Sequence, residues 1–218
     1  MEQLVEKDLF QEIFDMDIRP YLEVKEFKPD EFIMREGERS EYLYYLTEGR
    51  AKLFLSQENG RISLINFIEA PCFIGEMELL DENRLPQGVR AISLCRCYRI
   101  RMSACREELL QDTKFLQYLC RFLSEKATNN TNNYMRNQAY PLKVRFAEFI
   151  LKMSVKGYYR EPHTEVAEFL GVTYRHLLYV LAQFVEDGLL EKTKRGYRIV
   201  DESGLSRMIE NGEETLKL

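Results

Sequence analysis

Residues 173–179 bring together a hydroxyl, two phenols, a guanidinium and an imidazole on what their spacing predicts to be one helix. The guanidinium of Arg175 can donate to guanine O6 and N7 at the same time, so it is the candidate for base recognition. Tyr174 and Tyr179 could contact a phosphate or a thymine methyl group, and His176 could donate to a phosphate. The alternative for each is a solvated surface side chain. The candidate contacts with duplex DNA are His163 and, within residues 173–179, Thr173, Tyr174, Arg175, His176 and Tyr179.

A helix-turn-helix must position these side chains, and residues 163–182 have its steric pattern. Ala167 allows the two helices to approach closely, and Gly171 is expected to take the left-handed conformation that ends the first helix. Thr164 and Thr173 are the predicted caps of the two helices. The predicted interior side chains are Val166, Leu170, Val172, Leu177 and Val180. The second helix, 173–184, would then lie in the major groove. A chance helical hairpin is the alternative.

Basic residues follow in a short hairpin over 191–200. Its turn is expected at Arg195-Gly196, and Lys192, Lys194, Arg195 and Arg198 would form a basic rim. The whole chain has 31 Lys and Arg against 36 Asp and Glu, a net charge of −5, yet residues 141–200 have 10 basic and 7 acidic side chains. The local excess is typical of a wing that holds the sugar-phosphate backbone without reading its sequence.

The first half of the chain has a sequence pattern typical of short β-strands. Apolar runs are separated by turn residues, with strong turn signals at Glu48-Gly49 and Asn59-Gly60. The predicted strands are 22–27, 32–34, 42–46, 51–55, 62–67, 89–94 and 98–100. Many short strands at even spacing predict a β-roll, barrel or sandwich.

A helical period begins after residue 103, with Ser103 as its expected cap, and a second start at Asp112-Thr113 opens a long helix. Two apolar stripes on that helix suggest two partners, the β domain and a second copy of the helix; one wide core face is the alternative. The stripe assigned to the twin is Leu116, Leu119, Leu123 and Asn130, and the other is Phe115, Tyr118 and Phe122. Pro141 then suits the first turn of a further helix, which Gly157 would end.

The composition excludes several classes of protein. The sequence contains no run of 18 apolar residues, and its N-terminus lacks a secretory signal, so the cytoplasm is the expected compartment. It also lacks nucleophile-elbow, P-loop and zinc-protease motifs, so we expect no catalytic residues. Five cysteines without paired spacing predict neither a disulfide framework nor a metal site, although a redox role for a thiol stays open.

The chain resembles the cyclic-AMP receptor protein and FNR family of bacterial transcription regulators. The resemblance spans residues 24–200 and rests on motifs at 35–38, 42–45, 48–49, 59–60, 73–76 and 89–91 and on the helix-turn-helix. Residues 141–147 and 171–177 are similar to the YeiL-like branch. The resemblance implies an α+β protein with a cyclic-nucleotide-binding-type β-roll over 1–111, a dimerisation helix over 112–138 and a winged helix-turn-helix over 139–218.

Nucleotide-binding members of the family would use Gly75 and Glu76 at the ribose and an Arg-Ser pair at the cyclic phosphate. That pair is missing from residues 81–88, where Arg84 is the only candidate replacement and Asp81 and Glu82 repel an anion. Adenine-facing positions fall at Asn130 and Thr131. A buried phosphate without paired donors is costly, so the pocket is expected to be degenerate or to take an unidentified ligand, and we expect no cofactor.

The expected function is therefore sequence-specific DNA binding by a homodimer that regulates transcription. The expected partners are double-stranded DNA with a two-fold-symmetric operator, a second copy of the chain, RNA polymerase and an unknown small-molecule effector, but no membrane. Because Tyr174-Arg175 and Tyr179 replace the trio with which cyclic-AMP-binding members read DNA, the operator should differ from theirs. The rival hypothesis is a small-molecule binding module whose helical C-terminus serves only assembly.

Overall fold

A computed structural model describes residues 10–56 and 62–214 of the chain. These residues form two compact units that divide inside one long helix, between Ala127 and Thr128. Within the described ranges, every helix is too short or too polar to cross a bilayer.

The first unit contains two four-stranded antiparallel sheets. One sheet has the order β1-β8-β3-β6, and its strands are β1 (Leu22–Phe27), β8 (Cys95–Arg101), β3 (Tyr42–Glu48) and β6 (Cys72–Ile74). The other has the order β2-β7-β4-β5, with β2 (Phe32–Met34), β7 (Gly88–Ala91), β4 (Arg50–Ser56) and β5 (Ile62–Glu69). The predicted β-roll is thus confirmed, whereas the short β6 is absent from the prediction and β7 ends at Ala91 rather than at 94.

The turn at Glu48-Gly49 joins β3 to β4 as predicted. Gly49 has φ +97°, and a Cβ there would lie 2.3 Å from the carbonyl oxygen of Leu94, so both conformation and space demand glycine. The turn signal Asn59-Gly60 lies outside the described residues, although β4 and β5 pair on either side of it, from Arg50↔Glu69 to Ser56↔Ile62.

The sheet containing β8 has apolar side chains on both faces. Cys95 and Cys97 point into the core between the two sheets, whereas Tyr98 and Ile100 point to a second core beneath the helices. Because successive side chains of a strand alternate between faces, one strand serves both cores. Burial raises the pKa of the Cys97 thiol to about 12, so this thiol stays protonated at neutral pH.

Helices cover the outer face of that sheet. They are α1 (Glu76–Leu80), α2 (Met102–Gln111) and the long α3 (Thr113–Ala139). Ser103 does not cap α2, because the helix follows directly on β8 at Met102, whose amide donates to Glu41 O. Asp112 does cap α3: its Oδ1 accepts from the amide of Phe115 at 2.9 Å.

The structure differs from the prediction in which apolar side chains of α3 face the core and which are left for a second copy of the helix. Phe115 packs in the helical core as expected, but so does Leu119, which is only 1% exposed. Leu119 is therefore unavailable to a twin helix, and its assignment to the dimer stripe is wrong. The reason is geometric: residues 115, 119 and 122 follow one another at i, i+4 and i+7 and so lie on one side of the helix.

The second unit begins in α3 and continues with α4 (Leu142–Met153), α5 (His163–Phe169), α6 (Tyr174–Glu186) and α7 (Glu202–Glu214). A three-stranded sheet of order β10-β11-β9 completes it, from β9 (Tyr158–Tyr159), β10 (Leu190–Thr193) and β11 (Gly196–Ile199). Helix α4 ends at Met153 rather than at Gly157, since Ser154 is already extended; Gly157, with φ +76°, lies in the tight bridge between Val155 and Tyr158.

Candidate nucleic-acid interface and effector pocket

The turn between α5 and α6 has the predicted helix-turn-helix geometry. Gly171 has φ +65°, and its amide donates to Glu168 O, which ends α5 in the left-handed conformation. Thr173 caps α6, its Oγ1 accepting from the amide of His176 at 3.2 Å. Thr164 does not cap α5, because the helix begins one residue earlier, at His163, after Pro162.

A continuous apolar face holds α6 against the rest of its unit. Phe184 stacks on Phe146 of α4 with ring centroids 5.7 Å apart, and Leu177 has no exposed surface. The buried side chains of the helix are Leu177, Val180, Leu181 and Phe184, while Val172 in the turn is half-buried. This packing fixes which side of α6 faces solvent.

The candidate base-reading residues lie on that solvent-facing side. Tyr174 is 49% exposed and Tyr179 is 62% exposed, and Arg175 and His176 are also exposed. The helix is about 20 Å long at ~1.5 Å per residue, and these four side chains occupy its N-terminal half, which enters the groove in helix-turn-helix complexes.

The hairpin of β10 and β11 supplies a basic edge to the same unit. Lys192, Lys194 and Arg195 are exposed on it, as predicted from their positions. Arg198 is different, since its Nη2 lies 2.6 Å from Glu191 Oε2 across the hairpin. The turn itself falls on Lys194-Arg195, one residue before the prediction, and Thr193 Oγ1 closes it by donating to Gly196 O.

His163 joins α5 to this hairpin through an aromatic stack. Its ring centroid lies 5.9 Å from that of Tyr159 and 5.8 Å from that of Tyr197. Burial lowers the pKa of His163, so the imidazole is neutral at neutral pH. His163 is therefore suited to holding the hairpin against α5, and any hydrogen bond that it forms with DNA would come from a neutral imidazole.

In the roll, Gly75, Glu76 and Arg84 line one small cavity, whose lining does not include Asn130 or Thr131. Its volume is about 40 Å³, whereas sites for small organic ligands measure roughly 300–1,000 Å³. Lys126 of α3 also lines it and donates from Nζ to Glu76 Oε1 at 2.6 Å. The Glu76 side chain is 3% exposed and that of Lys126 37%, so the ion pair is nearly closed to water on the carboxylate side.

Arg84 is poorly placed to bind a phosphate. Its Nε lies 3.7 Å from Oε1 of Glu78, a second buried carboxylate. Burial is also the main reason why the pKa of Glu78 is raised. The cavity thus already contains two acidic side chains and the two cations that face them. Asn130 and Thr131 are exposed on α3.

Sequence reasoning missed Lys126 and Arg145, two cations on otherwise apolar helix faces. Lys126 continues the series 115, 119, 122 at the next turn of α3, and Arg145 lies beside Leu142 and Phe146 on the buried face of α4. A charged residue at an apolar-stripe position signals a buried partner, because an unpaired buried charge is very costly. Among the described residues, no three His, Cys, Asp or Glu side chains cluster closely enough to hold a metal ion.

Comparison with known proteins assigns both units. Residues 24–112 match the cyclic nucleotide-binding domain family, and residues 144–208 match the Crp-like helix-turn-helix domain family. The regulatory protein YeiL of Escherichia coli O157:H7 is 47% identical over 197 residues, which cover 90% of this chain and 90% of that protein. The cAMP-activated global transcriptional regulator CRP of Pasteurella multocida is 25% identical over 124 residues, 56% of this chain and 59% of its own.

Solved structures agree with this assignment at the level of the fold. A CRP/FNR-family transcriptional regulator from Thermus thermophilus aligns with a TM-score of 0.70 at 19% identity, over 87% of this chain and 100% of its own. A crp/fnr-family protein from Eubacterium rectale aligns with a TM-score of 0.75 at 15% identity, over 88% of this chain and 92% of its own. Together with the identity to YeiL, these matches confirm both the predicted fold and the resemblance, and the chain belongs to the Crp/FNR family of transcription regulators.

Proposed function

We propose that the protein regulates transcription as a homodimer that binds a specific, two-fold-symmetric DNA sequence. The observation that carries this proposal is the surface formed by Tyr174, Arg175, His176 and Tyr179 on α6, in one unit with the exposed cations of the β10–β11 hairpin. The α6 side chains can contact base edges, and Lys192, Lys194 and Arg195 can contact phosphates. A regulator of this kind would act on RNA polymerase.

The pairing surface that best fits the helix is an amended version of the predicted stripe. Leu116 and Leu123 are half-buried, and Cys120, Ala127 and Asn130 are exposed. With Cys120 in place of Leu119, the spacing alternates between three and four residues, as at the seam of a coiled coil. The proposed seam is Leu116, Cys120, Leu123, Ala127, Asn130 and Tyr134. The small residues at 120 and 127 would allow close approach of two helices.

A selection experiment tests the function. The protein is mixed with a random-sequence duplex library long enough for two half-sites about 10 base pairs apart, and bound duplexes are sequenced. We expect a palindromic consensus, and sedimentation should show two chains per selected duplex. Absence of any enrichment, combined with tight binding of a nucleotide, would support the small-molecule module instead.

Cyclic AMP should leave the melting temperature of the protein unchanged. The cavity beside Glu76 is too small for a nucleotide, and its cations already face carboxylates. A ligand that binds only the folded state raises stability with its concentration, so thermal unfolding over a titration of cyclic AMP is the measurement. A melting temperature that rises along the titration would show that the pocket opens to receive the nucleotide.

The wing residues should contribute affinity without specificity. Lys194→Ala and Arg195→Ala are each expected to weaken binding to selected and scrambled duplexes alike, because each removes a phosphate contact. The magnitude of the slope of the logarithm of the association constant against the logarithm of the salt concentration should fall by about 1 for each variant. Lys152→Ala, which removes an exposed cation from α4, is the matched control. Slopes identical to that of the unmodified protein would remove the hairpin from the interface.

A further inference from the structure

One cationic side chain is buried inside the DNA-binding unit. Arg145 of α4 is 9% exposed, and its guanidinium forms hydrogen bonds with backbone carbonyls of two other segments. Nε donates to Tyr140 O at 2.9 Å, and Nη1 donates to Leu170 O at 2.6 Å. Arg145 therefore joins two carbonyls that are about 30 residues apart in sequence.

Both acceptors lie at the C-terminal ends of helices. Tyr140 directly follows α3, its amide donating to Arg136 O, and Leu170 directly follows α5. The last carbonyls of a helix lack partners within it and carry the negative end of the helix dipole. A guanidinium can donate to the terminal carbonyls of two helices at the same time, because its N–H donors are held in a rigid planar fork and it stays charged at neutral pH.

The hydrogen bond from Arg145 to Leu170 lies next to the turn that orients α6. Leu170 is followed by Gly171, whose left-handed conformation sets the direction in which α6 leaves the turn. Arg145 fixes the carbonyl immediately before that turn and, with the same group, the end of the long helix. A surface ion pair between Arg136 and Glu148, 2.7 Å apart, also joins α3 to α4 but does not reach the turn.

We infer that Arg145 is a positioning residue that couples the end of α3 to the orientation of the recognition helix α6. The inference rests on the proposed function, since it assigns a cause to the alignment of α6 on DNA. A change in the direction of the last turn of α3 would reach the helix-turn-helix through this side chain, without any contact between Arg145 and DNA.

The test compares Arg145→Met and Arg145→Lys with the surface control Arg207→Met, which removes an exposed guanidinium of α7 that lies 3.4 Å from Asp201. For each, affinity is measured for a duplex selected by the unmodified protein and for a scrambled duplex of the same length, alongside melting temperature and oligomeric state. Hydrogen bonds to charged donors are typically worth enough to change an equilibrium about 10- to 100-fold. We therefore expect Arg145→Met to lower the ratio of the two affinities by about tenfold or more, while the control stays within about twofold.

The lysine variant separates positioning from simple stability. An ammonium can reach one of the two carbonyls but has no fork to span both, so Arg145→Lys should fold and give an intermediate ratio. Hydrogen exchange should rise together at the amides of 139–140 and 170–173 in both variants. The inference would be overturned if Arg145→Lys left the ratio of the affinities for the selected and scrambled duplexes unchanged. It would also be overturned if the variants lost affinity equally for both duplexes and in proportion to their loss of melting temperature. If the unmodified protein enriches no sequence from the library, the proposed function is wrong. That outcome is distinguishable from failure of the inference about Arg145, which is measured only on a duplex that the unmodified protein has selected.

Discussion

Lys126→Met is expected to lower the free energy of unfolding by roughly 2–3 kcal/mol. Removing one partner of a buried ion pair leaves the other charge uncompensated, at a typical cost of about 3–5 kcal/mol. We expect less here because the Lys126 side chain is 37% exposed while that of Glu76 is 3% exposed. Urea unfolding monitored by circular dichroism measures the effect, and an unchanged slope with denaturant would locate it in the folded state.

Two further variants make this prediction specific. Adding Glu76→Met to Lys126→Met should restore most of the stability, because the cavity wall around Glu76 contains Leu53, Ile68 and Phe73 and can accept an apolar side chain. Arg99→Met breaks a surface pair with Glu23 and should cost at most about 1 kcal/mol. If the Lys126 variant lost no more stability than the Arg99 variant, the Lys126–Glu76 pair would contribute no more than a surface pair.

Arg175→Ala should weaken binding to the selected duplex about 5- to 150-fold, which corresponds to ~1–3 kcal/mol. The side chain is exposed in the first turn of α6, so its removal should leave the fold and the dimer intact. Binding to a scrambled duplex should change little, because a contact to a base edge contributes only where the correct base is present. Competition gel shifts at fixed salt concentration separate the two affinities.

Arg207→Ala is the matched control for this prediction, because it removes the same charge from another helix of the unit. Arg207 is exposed on α7, which packs against α4, and it forms a surface pair with Asp201 at 3.4 Å. The variant should bind both duplexes as the unmodified protein does. Equal affinity of the Arg175 variant and the unmodified protein for the selected duplex would assign base recognition to another residue.

The sequence predicted the helix-turn-helix well because local sterics determine it. Gly171, Thr173 and Leu177 each have a function that depends only on residues within a few positions, namely a left-handed turn, a cap and an interhelical contact. The prediction of Ser103 as a cap failed because α2 follows directly on β8, so the neighbouring strand decided where the helix begins. The prediction for Thr164 failed because Pro162 holds the cap position and α5 already begins at His163.

The contents of the effector pocket could not be predicted in the same way. The pairing of Lys126 with Glu76 links positions 50 residues apart, and the helical period alone cannot choose which of two apolar stripes faces the roll. For that reason the side predicted for Leu119 is wrong, and Arg84 faces Glu78, a partner that its sequence position does not indicate. The missing Arg-Ser pair predicted loss of nucleotide binding; the internal ion pair supports that prediction from an independent direction.

The pairing of β1 with β8 has a consequence for how the protein folds while it is being synthesised. Leu22 lies opposite Ile100, so the first strand of the roll emerges from the ribosome roughly 80 residues before its neighbour, and non-local pairing of this kind is slow. The helix-turn-helix, by contrast, closes within a short stretch of chain. During synthesis the nascent roll must therefore keep an unpaired strand edge exposed until β8 emerges, and chains in this interval are open to aggregation and to binding by chaperones.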